Sequence, residues 1–184
     1  MGYTLNEMVE ECRAVLSEDR DAVGRNAVRQ IVEKACKDDD FVTAHLGPDN
    51  DIPRQVLYED EDLDFCILVH VSAPETGLPH GHGPTWAIYG IAAGITEMTD
   101  WHCVDQPEGR LPGKVVKVKS YDLPRGTAQL YNEGDLHSSR LLAMNLNQNQ
   151  KSAQKTHGPL LNNLTPDLRP QLPAYHTYFA VEQQ

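Results

Sequence analysis

The sequence predicts a mainly β protein, an antiparallel sandwich or barrel, with a helical cap at its N-terminal end. Three observations carry that prediction. Apolar residues recur with helical period only within 1–46. Short β-branched and aromatic runs separated by Gly, Pro and Asp clusters fill most of the chain beyond residue 54. Helices come first and strands after, so the βαβ alternation of a doubly wound fold is absent.

The first helix is expected over 4–17, where Leu5, Met8, Val9, Cys12, Val15 and Leu16 make one apolar face. Thr4 with Glu7 is a capping box that satisfies the first orphan amides. A second helix over 21–37 buries Ala27, Val28, Ile31, Val32 and Ala35, and a short third one covers 40–46. Gly47-Pro48-Asp49-Asn50 ends the pattern. Strands are expected over 55–58, 63–72, 85–92, 95–103, 114–121, 126–131 and 141–146. The polar, Pro- and Asn-rich stretch 148–173 reads as a long surface loop, and the aromatic segment 174–184 as a terminal strand returning to the barrel. The whole chain, 1–184, is expected to form a single domain: cap 1–46, barrel core 54–147, loop and terminal strand.

Charge narrows the partners. A formal net charge of −11 with no basic stripe argues against nucleic acid and against an anionic membrane surface. No apolar run is long enough to span a bilayer. The four cysteines are scattered, without a CxxC pair, and the N-terminus is polar and acidic rather than a secretory signal. A reduced, cytoplasmic protein is the expectation.

The chemistry concentrates in Pro79-His80-Gly81-His82-Gly83-Pro84-Thr85-Trp86. Residues two apart on a strand share a face, so His80 and His82 are placed to bind one ion together. His137, in Asn132-Glu133-Gly134-Asp135-Leu136-His137, follows a tight turn into another strand and is the third candidate ligand. Neutral imidazole suits iron, nickel, copper and zinc. The plainer alternative is that all three are ordinary loop or strand histidines.

These motifs resemble the cupin superfamily and, within it, the cysteine dioxygenase-like group of thiol dioxygenases. The similarity runs through Leu57-Tyr58-Glu59-Asp60-Glu61-Asp62-Leu63-Asp64-Phe65, the His80–His82 segment with Trp86-Ala87-Ile88-Tyr89-Gly90, and Gly134-Asp135-Leu136-His137-Ser138. It covers about 54–137 well and the ends loosely. It implies a double-stranded β-helix, or jelly-roll, barrel with a helical cap. It also implies a ferrous ion on His80, His82 and His137, with nickel or zinc as alternatives, and oxidation of a small carboxylate-bearing thiol to a sulfinate with O2. The expected partners are therefore a small-molecule thiol and O2. A homodimer paired through strands fits the same group.

Many cupins place a fourth, glutamate ligand where this chain has Trp86, and its absence is the pattern of the thiol dioxygenase group. Arg54 stands where similar dioxygenases hold the substrate carboxylate, a task suited to a two-pronged guanidinium; a surface arginine is the alternative. Trp86 and Tyr89 are candidates to line the pocket, although barrel interiors are commonly filled by such side chains. Ala87 replaces the cysteine that cross-links to tyrosine in animal members, so no such link is expected. Gln150, Ser152 and Gln154 stand where the group's Ser-x-His-x-Tyr triad would follow the third ligand. His176 and Tyr178 would enter the pocket instead if 148–173 is an insertion, or simply pack the terminal strand. With the same three histidines the alternatives are diketone cleavage, a lyase or isomerase on another metal, and a non-catalytic sensor.

Overall fold

The structure, a computed structural model, describes residues 2–47, 52–72, 77–106, 113–143 and 176–183. Three helices open it: α1 (Leu5–Glu18), α2 (Ala22–Lys37) and α3 (Asp39–Leu46). Thr4 caps α1 as expected, with its hydroxyl accepting from the Glu7 amide and the Glu7 carboxylate accepting from the Thr4 amide. Asp38 caps α3 by accepting from the Phe41 amide.

Nine strands come after the helices among the described residues: β1 (Arg54–Asp60), β2 (Phe65–Ser72), β3 (His80–Gly81), β4 (Ala87–Ile91), β5 (Ile95–Asp105), β6 (Lys114–Pro124), β7 (Ala128–Tyr131), β8 (Leu136–Ala143) and β9 (His176–Gln183). They form two antiparallel sheets, one ordered β1-β2-β9-β4-β7 and the other β3-β8-β5-β6. The fold class is thus mainly β, two antiparallel sheets forming a barrel with an N-terminal helical cap. The strand expected from 141 begins earlier, at Leu136, so His137 lies inside it rather than before it. The proposed loop 148–173 lies outside the described residues.

Two apolar clusters explain how the barrel is held. Between the sheets lie Cys66, Leu68, Ala87, Tyr89, Met98, Tyr131 and Ala180. The five-stranded sheet turns its other face to the helices, where Phe65, Ile67, Val69, Ile88, Phe179 and Val181 pack against Met8, Cys12, Val28, Val32 and Phe41. Alternate residues of β2 therefore enter different cores, and its sequence is apolar throughout rather than alternating. Burial pushes the thiols of Cys12 and Cys36 up to about 12, so both behave as small apolar side chains. Contact between α2 and β4 is closest at Gly90, where a Cβ would stand 2.3 Å from Val32 Cγ1 and 2.7 Å from Cys36 Sγ.

Candidate metal centre

The two histidine-bearing segments meet as a strand pair: β3 runs antiparallel to β8, and His80 is the register partner of His137. His82 lies just beyond β3. One ligand atom from each of the three histidines falls within 4.8 Å of the other two. His80 and His137 have ring centroids 4.5 Å apart, and His82 and His137 5.3 Å apart. The sequence-based cluster is therefore brought together in space.

Local turns set this geometry. Gly83 adopts φ 64° and the Thr85 hydroxyl and amide both donate to the His82 carbonyl, which closes the turn after the second histidine. Gly134 adopts φ 82°, and Asp135 accepts from the Asn132 amide to tighten the turn before His137. The Gly134 amide donates to the Gly83 carbonyl and joins the two turns directly.

The donor set fits a divalent metal. His80 Nδ1 donates to the Leu78 carbonyl at 2.9 Å, which leaves Nε2 with a free lone pair. His137 is 2 % exposed and its Nδ1 has no hydrogen-bond partner among the described residues. Burial pushes the His137 pKa down to about 3, helped by the neighbouring His80 and His82. Burial also lowers His82; the Glu182 charge opposes that shift and His80 adds to it. Both rings are thus held neutral, the form in which imidazole binds a metal. A buried polar nitrogen without a partner is costly unless something ligates it.

Tyrosines surround the cluster. Tyr131 stacks on His137 with centroids 3.9 Å apart. Its hydroxyl meets that of Tyr121 at 3.1 Å, and Tyr121 donates to Asp100. On the other side, the Tyr89 oxygen lies 3.0 Å from His82 Nε2 and donates to Glu182 Oε1 at 3.3 Å. A cavity of about 40 Å³ lies against His80, His137, Tyr89, Ile91 and Met98. It holds only water-sized or diatomic molecules.

The remaining expectations divide. Tyr89 lies beside His82 and lines the small cavity. Arg54 is half exposed, and its guanidinium lies 3.7 Å from Glu182, which connects it to Tyr89 and His82. Trp86, expected to line the pocket, does not: it is 4 % exposed in the cluster beneath the helices, with Arg25 over its ring at 5.8 Å. The physical reason is the turn at 83–85, which breaks the strand alternation between His82 and β4. Arg25 also makes two 2.7 Å hydrogen bonds to Glu133, so one α2 side chain holds both histidine-bearing segments. His176 and Tyr178 lie on β9, in register with Ser72 and with His70 and Ile91; their side chains lie outside the described residues. The residue that sequence reasoning missed is Glu182. Its place is set by pairing with Cys66 and Ala87 on distant strands, and no local motif marks it.

The fold and site define a barrel with a three-histidine centre compatible with a divalent metal. No family model matches the sequence, and no curated protein matches it. Among solved structures, the chain is similar to KdgF from Halomonas sp. at 12 % identity, with 71 % of this chain and 76 % of that chain covered and a TM-score of 0.41. It is also similar to a cupin-2 domain-containing protein from Shewanella frigidimarina (10 % identity, 71 % and 79 % covered, TM-score 0.40). A cupin 2 conserved barrel domain protein from Salinispora arenicola gives 16 % identity, 77 % and 82 % covered, and a TM-score of 0.39. At such values nothing about activity passes from those proteins to this one.

Proposed function

We propose that this chain is a mononuclear non-heme iron dioxygenase that oxidises a small thiol to its sulfinate. The observation that carries the reading is the three-histidine cluster itself, which contains no carboxylate among the grouped ligand atoms. His80, His82 and His137 would hold the ion. Ferrous iron bound there would supply Lewis acidity toward the thiol and redox chemistry toward O2. In the net reaction both oxygen atoms of O2 end on sulfur, which gives up four electrons, so no further reductant is needed.

The chain's own residues have separate tasks. Burial keeps His137 and His82 unprotonated. The Leu78 carbonyl fixes the tautomer of His80. Ile91, Met98 and Thr96 keep the small cavity narrow, to the size of a water or O2 molecule. Tyr89 presents a hydroxyl at the centre and has an acceptor in Glu182 for its proton. Arg54 would meet a carboxylate at the solvent side.

The test is anaerobic loading with ferrous iron followed by oxygen uptake with a panel of small thiols. Thiol-dependent uptake with a sulfinate product is expected. Iron-loaded protein that consumes no O2 with any thiol overturns the reading. Turnover without O2 on another divalent metal would assign a lyase or isomerase instead.

A further inference from the structure

Glu182 stands in an unusual place for a carboxylate. It is paired across β9 with Cys66 and Ala87, two members of the cluster between the sheets. Its side chain is 18 % exposed. One oxygen accepts from Tyr89 and the other lies 3.7 Å from Arg54 Nη2. The chain of contacts running from His82 through Tyr89 therefore ends on one anion and one cation side by side, not on the lone cation that capture of a simple carboxylate would need.

That pairing has a consequence for ligands. A purely anionic thiol approaching Arg54 meets a carboxylate already beside the guanidinium and is repelled by it. A thiol carrying a protonated amine meets an acceptor with the right charge. We propose that Glu182 is a specificity-determining residue that biases the centre toward thiols bearing a cationic amine, with Arg54 biasing it the opposite way. The inference rests on the thiol reading above and adds the charge class of the substrate.

The test uses the full chain loaded with Co(II) under argon. Two probes are titrated at neutral pH, cysteamine and 3-mercaptopropionate, and binding is read from the thiolate-to-metal absorption band. The quantity of interest is the ratio of the two affinities. Glu182→Gln should lower the preference for cysteamine roughly threefold or more, the scale of one partly exposed ion pair. A ratio unchanged by Glu182→Gln, or moved the other way, overturns the inference and leaves the thiol reading standing. Should that variant fail to fold by circular dichroism, Arg54→Gln takes its place. It should raise the cysteamine preference by a similar factor, and an unchanged ratio overturns the inference there too. If neither probe gives the band with loaded wild-type protein, the thiol reading falls and the inference falls with it.

Discussion

Burial holds His137 in the neutral form, which keeps one N–H and offers the lone pair of its other ring nitrogen to a metal. His137→Gln should reduce metal affinity by at least about 100-fold, since even an outer-shell partner is worth 10–100-fold; metal analysis after dialysis measures it. His70 offers a test of burial that does not involve the cluster. Burial, with the nearby Arg54 charge, pushes its pKa down to about 4. The unfolded chain takes up a proton below about pH 6.5 that the folded chain refuses until about pH 4. Stability should therefore fall as pH drops through that window, by on the order of 3 kcal/mol from this group. Urea melts of wild type and His70→Gln, taken at several pH values, should show a shallower slope in the variant. At this scale the histidines were legible in the sequence and their surroundings only in part: Tyr89 was marked, Glu182 was not. HxH spacing marked His80 and His82, and a Gly-Asp turn marked His137. Glu182 carries no such mark, because its role arises from register between strands far apart in the chain.

The helix α2 is what ties the cap to the barrel, and two of its contacts are testable. Gly90 is the place where β4 meets it, so Gly90→Ala drives a methyl into Val32 and Cys36. The expected cost is ~1–3 kcal/mol of stability by chemical denaturation, and Val32→Ala in the same chain should recover part of it. Arg25 spans from Trp86 to Glu133 and so braces the turns that carry His82 and His137. Arg25→Met should weaken metal binding by roughly tenfold without removing a ligand, as outer-shell changes do; a metal-competition titration checks it. Element by element, periodicity located the three helices to within a residue or two, because each has one buried face. The strands around the histidines were less legible. Tight turns at 83–85 and 132–135 restart the alternation, and this put Trp86 on the wrong side of the sheet and hid the true start of β8.

At the scale of the whole molecule, an ion held by the three histidines would cross-link β3 to β8, segments that meet only when the barrel is folded. Metal at 100 times its dissociation constant should add about 2.7 kcal/mol to folding stability. In a chain of this size that corresponds to a rise in Tm of roughly 5–10 °C. Thermal melts with and without Co(II) should show it, and His137→Gln should abolish it. Two further features belong to the same architecture. No helix among the described residues is long and apolar enough to cross a membrane. The five-stranded sheet is covered on both faces, by the helices on one and by the other sheet on the other. The pairing of His80 with His137 also reaches beyond the folded state. If the proposed ion binds there, a chain without it would open more often, and each opening would expose it to proteases. The amount of this protein in a cell would then track the local supply of metal, and scarcity would be recorded first as a falling protein level.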